Sequence, residues 1–230
     1  MGTKIPHPQL TSSVGTVNFR SASVGQRGGG RETVMGTAGT KGVPRAERER
    51  QLLDIAGEQI SRAGYAGLSP GAVAAAVGVS KPLVFHYFHS KEGLYAACVE
   101  RAADTVCGAI ESVFDGSPGI AMAERTLEVV IGVLARRPHD WNVLLDTSHP
   151  ADGVAADAAY RARRRIADQA QRGAAALLAE RGITDAADLS ALTDVWMGVV
   201  SAMVNWWLRH PDESADAMIA RCRRLMGALF

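Results

Sequence analysis

From Arg45 to the end of the chain, apolar residues recur at the spacing of an α-helix, and no run alternates between apolar and polar residues as a strand does. Alanine, leucine, arginine and glutamate dominate this region, and all four favour helix. Apolar residues make up 47% of the chain, enough for a sizeable core. The sequence therefore predicts an all-α fold of about nine helices.

Capping residues, glycine and proline divide this region into helices. The first helix covers about 46–63, and the second, 70–77, has Ser69 as its N-cap. Ser80 caps a third helix of similar length, and a longer fourth helix begins at Ser90. Five further helices follow, separated by glycine or proline at 116–119, 138, 150, 182 and 210–211.

Residues 1–44 differ from the rest of the chain in composition. They hold nine of the 24 glycines and five basic side chains against one acidic, and they have no apolar period. This composition predicts a disordered arm, whose Gln, Arg and Gly run at 26–31 is interpreted as a flexible linker rather than an RNA-binding tract. Because Met35 opens a short polar leader before the first helix, an alternative is that translation starts there and 1–34 are not made.

The cysteines and the apolar stretches predict where the protein resides. The three cysteines fit no zinc template and indicate reduced thiols. The first residues lack the pattern of a signal peptide. The longest mostly apolar stretch, 195–208, is shorter than the about 20 residues that span a bilayer. These features predict a cytoplasmic protein without a membrane segment.

Residues 70–87 have the residue spacing of a helix-turn-helix. With Pro70 as position one, a small residue, Ala74, stands at position five, where the two helices cross closely. Gly78 stands at position nine, where the turn takes a positive φ. The inward positions are apolar: Val73, Val77, Val79, Val84 and Tyr87. Together these residues predict a DNA-binding hairpin.

The second helix of the hairpin is predicted to enter the major groove, which admits one α-helix. Lys81 can contact a phosphate or a guanine, and Leu83 a thymine methyl group. Ser69 and Ser80 stand at helix N-termini, which favour phosphate. For Lys81 or Lys91 taken singly, the alternative is a solvated polar face. The predicted DNA-binding residues are Ser69, Ser80, Lys81, Leu83, His86, Tyr87 and Lys91.

At these residues the sequence resembles the TetR family of bacterial transcriptional regulators. The family's signature is a Gly-Val-Ser turn, here 78–80, followed by an aromatic-rich recognition helix and a Ser-Lys pair, here 90–91. The close match covers about 45–101. Two positions depart from the family: Phe85 stands where tyrosine is usual, and Leu83 where a small polar residue is common. The family's base preference therefore does not transfer to this chain.

The resemblance implies a dimeric repressor with two domains. A helix-turn-helix domain, 45–92, would precede a larger helical domain, 93–230, that binds a small-molecule effector and dimerises through its last two helices. The operator would be an inverted repeat in double-stranded DNA, with half-sites roughly 34–36 Å apart. The effector would release the protein by changing the spacing of the two DNA-reading helices. No cofactor is expected.

Apolar stripes supply candidates for the dimer interface and the effector pocket. The interface candidates are Leu192, Trp196, Val199, Met203, Trp206, Met218, Cys222 and Leu225. The pocket candidates, most of which an ordinary core would equally use, are Phe114, Met122, Trp141, Trp196, Met197 and Trp207. Arginines 161 and 163–165 could attract an anionic effector such as an acyl-coenzyme A, but a solvated helix face is the preferred interpretation.

Other functions find less support in the sequence. His86 and His89 are three residues apart and lack a third ligand at a complementary spacing, so no metal site is predicted. The pairs His139-Asp140 and Ser148-His149 could suggest a hydrolase, but the sequence has no nucleophile elbow. The glycines at 28–30 do not form a phosphate loop, because they neither follow a strand nor open a helix. No enzyme is therefore predicted. The remaining alternative is a helical small-molecule-binding protein or enzyme with only nonspecific DNA contact.

Overall fold

The computed structural model of the protein describes residues 42–114 and 119–229. Within these ranges the chain forms nine helices and no strand, which confirms the predicted all-α class. The helices are α1 (Arg45–Gly67), α2 (Pro70–Val77), α3 (Lys81–Phe88), α4 (Lys91–Glu111), α5 (Gly119–Arg136), α6 (His139–Leu145), α7 (Gly153–Glu180), α8 (Ala186–Leu208) and α9 (Ala215–Leu229). The arm predicted for residues 1–44, up to residue 41, and the alternative start at Met35 lie outside the described residues.

The first helix, α1, contains a kink at the position where the sequence pattern predicts its end. The backbone leaves the helical conformation at Ala63 and Gly64, where Gly64 has a φ of 63°, and a last turn then continues to Gly67. The regular first helix therefore ends at Ala63 and Gly64, as the sequence predicts, and a separate turn after this kink completes α1. Before the kink, apolar residues such as Leu52 and Ile60 are buried against the helices that follow.

α4 connects the short N-terminal helices to the rest of the fold. It packs against α1 and α3, and most extensively against α7. Ion pairs tie α4 to α7 along this contact: Arg161 with Glu100, Arg165 with Asp104, and Arg172 with Glu111. On the other side of the larger helical part, α8 packs against α7, and α9 packs against α5.

The three cysteines are free and buried, two on α4 and one on α9. Burial raises the pKa of Cys98 to about 12, so this thiol stays protonated near neutral pH. The prediction of unbridged cysteines on helices is confirmed.

α8 is long and apolar enough to cross a membrane by length and composition alone, and the bent pair of α2 and α3 passes the same test as one span. The sequence pattern indicated a stretch too short to do so, but the helix begins at Ala186 and has 23 residues. Only 11% of its most apolar 18-residue stretch is buried within the chain. Most large apolar side chains of α8 are therefore only half-buried within the chain.

Candidate DNA interface and effector cavity

α2 and α3 form a hairpin around Gly78, and their axes meet at 112°, inside the range of about 90–120° for a helix-turn-helix. Gly78 ends α2 in the left-handed conformation, with a φ of 74°, which side chains with a Cβ rarely adopt. The amide of Val79 donates to the carbonyl oxygen of Ala74 at 2.9 Å and closes the turn. The predicted positive φ at position 78 is confirmed.

The two predicted caps of the hairpin differ in the structure. Ser69 Oγ accepts a hydrogen bond from the amide of Ala72 at 3.3 Å, as an N-cap does. Ser80 occupies the N-cap position of α3, but its side chain makes no capping hydrogen bond. Its exposed hydroxyl is therefore not engaged at the N-terminus of α3.

The side chains of α3 divide into a buried and an exposed set. Val84 and Phe88 are buried in the core between α1, α2 and α4. Lys81 and His86 are exposed, and Leu83 is half-buried. The buried pair holds α3 against the domain, so the exposed polar side chains are free to meet a ligand outside it.

Tyr87 combines contact with the core and access to solvent. It is half-buried against the core, and the guanidinium of Arg45 lies 5.2 Å from the centre of its ring. The cation and the ring attract each other. Tyr87 therefore contributes to the packing of α3 against α1 as well as to the surface predicted to face DNA.

Lys91 ties the end of α1 to the start of α4. Its ammonium donates to the carbonyl oxygen of Ala66 at 3.3 Å and lies 4.4 Å from the centre of the Tyr65 ring. The hydroxyl of Tyr65 donates to Glu92 Oε1 at 2.7 Å. Burial, together with this carboxylate, raises the pKa of Tyr65 to about 12. Lys91 thus has a structural role, and its predicted phosphate contact stays a prediction.

The end of α1 meets the segment that follows α6. The amide of Tyr65 donates to Asp146 Oδ2 at 3.1 Å and to Ser148 Oγ at 2.8 Å. A side chain at Gly64 would overlap Ser148 Oγ. On α6 itself, the side-chain amide nitrogen of Asn142 donates to the hydroxyl oxygen of Ser61 on α1 at 2.9 Å. The DNA-binding helices are therefore joined directly to α6.

Replacing Asp146 with alanine is expected to lower the free energy of unfolding by about 1–2 kcal/mol, because the Tyr65 amide loses a charged acceptor. Urea denaturation monitored by circular dichroism measures the change. Asp152→Ala is the matched control, since Asp152 makes no capping bond at the start of α7, and we expect less than about 0.5 kcal/mol there. An equal loss in both variants would contradict the importance of this junction.

A cavity of about 80 Å³ lies between α4, α5, α7 and α8, several times the roughly 10–15 Å³ that one water needs. Its walls are apolar except at Thr126 and Gln169. Five predicted pocket residues line it: Phe114, Met122, Trp141, Trp196 and Met197. Trp141 belongs to α6, so the same helix contacts the cavity and the end of α1.

The sixth pocket candidate, Trp207, does not line this cavity. It is buried at the end of α8. Its indole N–H donates to the carbonyl oxygen of Glu213 at 2.9 Å. This bond fixes the corner between α8 and α9, because it joins the last turn of one helix to the segment before the next.

The predicted interface residues occupy three environments. Leu192, Trp196 and Val199 line the cavity. Met218 and Cys222 are 0% and 1% exposed, because α9 packs this face against α5. These two side chains are core residues and not available to a partner, which corrects the expectation.

The other three interface candidates remain accessible. Met203 and Trp206 are half-buried on α8, and Leu225 on α9 is 43% exposed. The Trp206 ring stacks on His210, with centroids 4.0 Å apart, and the guanidinium of Arg221 lies 4.9 Å from the centre of the same ring. These accessible residues concentrate toward the end of α8 and on the outer face of α9.

The arginine cluster of α7 is paired within the chain. Arg161 and Arg165 bind carboxylates of α4, and Arg164 bonds Tyr160 and lies near Asp168. Arg163 donates to the carbonyl oxygen of Asp146 at 3.3 Å. An anion at these arginines would therefore compete with bonds that are already formed. Among the described residues, no group of three or more His, Cys, Asp or Glu is placed to hold a metal ion.

Sequence reasoning did not single out Asp146 or Gln169, and it considered Ser148 only as part of a rejected hydrolase pair. Asp146 and Ser148 act through contacts with a helix about 80 residues away, for which the local sequence carries no signal. Gln169 did leave a signal, because it interrupts the apolar face of α7 at helical spacing between Ile166 and Gly173.

Comparison with known proteins identifies relatives of the hairpin and of the fold. Residues 52–98 match the family described as bacterial regulatory proteins, tetR family. The uncharacterized HTH-type transcriptional regulator Rv0472c of Mycobacterium tuberculosis is 26% identical over 178 residues, which cover 76% of this chain and 74% of the relative. The HTH-type transcriptional activator FasR of Mycolicibacterium smegmatis is 33% identical over 89 residues, 39% of this chain and 41% of FasR.

Solved structures resemble the fold over about three quarters of the chain or more. A TetR-like transcriptional regulator from Rhodococcus sp. RHA1 is similar with a TM-score of 0.60 and 23% identity, over 80% of this chain and 96% of that one. FadR from Bacillus subtilis in complex with stearoyl-CoA has a TM-score of 0.63 and 14% identity, over 78% of this chain and 96% of FadR. AibR in complex with isovaleryl coenzyme A and operator DNA has a TM-score of 0.60 and 20% identity, over 76% of this chain and 97% of AibR. At these identities the likeness concerns the fold.

Proposed function

Because the chain belongs to the TetR family of bacterial regulatory proteins, we propose that it is a cytoplasmic, dimeric repressor that leaves its operator when a small molecule occupies the cavity. The observation that carries this proposal is the α2–α3 hairpin. Its turn at Gly78 and its buried Val84 and Phe88 leave Lys81 and His86 exposed on a short helix. A helix held in this way fits the major groove.

The proposed DNA contacts fall into two kinds. Lys81, Leu83, His86 and Tyr87 lie on α3 and are proposed to reach base edges or nearby phosphates. Ser69, Ser80 and Lys91 lie at the starts of helices and are proposed to bind phosphates, which fix the position of the protein on the duplex. The operator is proposed to be an inverted repeat, because a symmetric dimer presents two copies of α3 related by a two-fold axis.

The exposed apolar surface of α8 supports dimerisation. Exposed apolar patches of this kind are typical of protein interfaces. A second copy of the chain is the proposed cover, since an inverted-repeat operator requires two copies of α3. Met203, Trp206 and Leu225 are the proposed contacts, while Met218 and Cys222 support α9 from within the protomer.

Met203→Glu is expected to convert the dimer to a monomer, because a symmetric interface would bury two unpaired carboxylates. We expect the dissociation constant of the dimer to rise at least about 100-fold, measured by sedimentation equilibrium. Leu145→Glu is the control, since Leu145 is 41% exposed and lies on α6, which carries none of the proposed dimer contacts. Dimers in the Met203 variant, or monomers of the unmodified protein, would contradict the proposed interface.

The cavity supports an effector with a substantial apolar part. Its lining is apolar at all but two side chains, as small-molecule sites usually are. The neighbours solved with stearoyl-CoA and isovaleryl coenzyme A favour an acyl chain as one such part. The effector needs only to prefer the non-binding arrangement by about 1–3 kcal/mol to change DNA affinity about 5- to 150-fold.

The path from the cavity to DNA is proposed to run through α6. Trp141 lines the cavity, and its indole N–H donates to Asn205 Oδ1 on α8 at 3.0 Å. Asn142 and Asp146 contact α1. A shift of α6 on effector binding would therefore move the DNA-binding helices of one protomer relative to those of the other.

A reporter gene tests the repressor role. The DNA site that the protein selects is placed between a promoter and the reporter. Cells that make the protein are expected to transcribe the reporter less than cells that make the Lys81→Ala variant. Higher transcription with the unmodified protein would indicate an activator and contradict the proposal.

A further inference from the structure

Gln169 is the polar side chain of the cavity whose hydrogen-bonding capacity is only partly used. It lies on α7, lines the cavity and is 8% exposed. Its amide nitrogen donates twice, to the carbonyl oxygen of Cys107 at 2.9 Å and to Glu111 Oε2 at 3.0 Å. Its amide oxygen, Oε1, is buried and has no hydrogen-bond partner in the part of the chain that the structure describes.

The orientation of this amide follows from its two neighbours. A carbonyl oxygen only accepts hydrogen bonds, and an ionised carboxylate does the same. The hydrogen bonds from Arg172 and Gln169 hold the pKa of Glu111 below its ordinary value, so Glu111 is ionised near neutral pH. Rotating the amide by 180° would set its oxygen against two acceptors. The nitrogen therefore faces α4, and the oxygen is the buried atom of this cavity-lining side chain that has no donor within the described residues.

The other polar groups at the wall do not supply the missing donor. The hydroxyl of Thr126 donates to the carbonyl oxygen of Met122 at 2.8 Å. The indole N–H of Trp141 donates to Asn205 Oδ1 at 3.0 Å. A buried acceptor without a donor costs about 1–3 kcal/mol. Within the described residues, the protein itself thus supplies no donor to this acceptor.

We infer that the effector carries an O–H or N–H donor on an apolar body and that Gln169 Oε1 accepts its hydrogen bond. This inference rests on the proposed function, because it assumes that the cavity is the effector site. An occupant that is hydrocarbon throughout would exclude water and leave the oxygen unpaired. The cavity therefore selects alcohols or amides over alkyl chains and ethers of the same size.

Two isomeric probes test the preference directly. 1-Hexanol and 1-methoxypentane have the same atoms and similar length, but only the alcohol can donate a hydrogen bond. Each is titrated into the full-length protein, and binding is followed by tryptophan fluorescence, since Trp141 and Trp196 line the cavity. Because one hydrogen bond contributes about 0.5–1.5 kcal/mol net, we expect the alcohol to bind about 2- to 12-fold more tightly.

Two variants assign the preference to Gln169. Gln169→Met keeps the length of the side chain and removes the acceptor, so the ratio of the two affinities is expected to fall to about one. Thr126→Val changes the other polar wall residue and is expected to keep the ratio of the unmodified protein. Circular dichroism verifies that both variants are folded. If Gln169→Met does not fold, the ratio in the unmodified protein still decides the inference.

The outcomes separate this inference from the proposed function. Equal affinity for both probes in the unmodified protein would overturn the donor requirement and leave the cavity as an effector site. A preference for the alcohol that persists in Gln169→Met would also overturn the inference, because another group would then accept the bond. Absence of binding by either probe up to its solubility limit would contradict the cavity as a binding site, and the inference with it.

Discussion

Alanine in place of Lys81 is expected to weaken binding to the operator by about 10- to 100-fold. The exposed ammonium stands at the first residue of α3, where it can meet a phosphate or a guanine, and such contacts contribute about 1–3 kcal/mol. Fluorescence anisotropy with labelled operator DNA measures the change. If the contact is to a phosphate, the slope of log affinity against log salt is expected to fall by about one.

Arg224→Ala is the matched control for Lys81→Ala. Arg224 is exposed on α9, and its loss changes the net charge by the same amount. We expect its operator affinity to change less than about twofold. Equal weakening in both variants would mean that overall charge, not α3, governs binding. Unchanged affinity in the Lys81 variant would remove Lys81 from the proposed DNA contacts.

Alanine in place of Gly93 is expected to lower the free energy of unfolding by about 2–3 kcal/mol and to abolish operator binding. A methyl group at Gly93 would overlap the backbone carbonyl oxygen of Phe88 at the end of α3. Backbone cannot move aside as a flexible side chain does, so α3 must shift relative to α4. Thermal unfolding measures the loss of stability, and DNA binding reports the displacement of α3.

Gly108→Ala separates this overlap from the general effect of alanine in a helix. Gly108 is an exposed position on the same α4, and a Cβ there meets no other atom within 4 Å. Alanine at such a site is expected to raise the free energy of unfolding by about 0.5–1 kcal/mol. Stabilisation by both substitutions would contradict the close approach of α3 and α4 at Gly93.

The hairpin could be predicted from sequence because its determinants are local. Ala74 and Gly78 are neighbours along the sequence, and Gly78 adopts the positive φ that its position in the motif requires. The helix boundaries follow from capping residues, glycine and proline, which act over a few residues. For the same reason the division into nine helices over the described residues agrees with the sequence pattern.

The roles of the apolar stripes could not be predicted because they depend on which surface covers them. Met218 and Cys222 have the spacing of an interface stripe, and that spacing is identical whether the cover is α5 of the same chain or a second copy. Trp207 differs from Trp196 in its neighbour at the corner, where Glu213 binds its indole. Tertiary packing, which the local sequence does not encode, therefore determines whether each of these side chains lies in the core, at the corner or in the cavity wall.

The polar contacts that connect the two parts of the fold were also beyond sequence reasoning. Asp146 follows a short helix and has no motif around it, yet it accepts the hydrogen bond of the Tyr65 amide. Tyr87 was assigned both an inward and an outward role, and its half-buried position against Arg45 accommodates both. Tyr87→Ala would therefore affect stability and DNA binding together, so it is a weaker probe than Lys81→Ala.

Selection of bound DNA from a random pool, with the mass of the protein in solution measured alongside, tests the central claim most directly. A specific dimeric regulator is expected to enrich an inverted repeat whose half-sites are about one turn of DNA apart, and to have twice the mass of the chain. Weak, strongly salt-dependent binding without an enriched repeat would indicate backbone contact alone and contradict the assignment of α3 as a recognition helix.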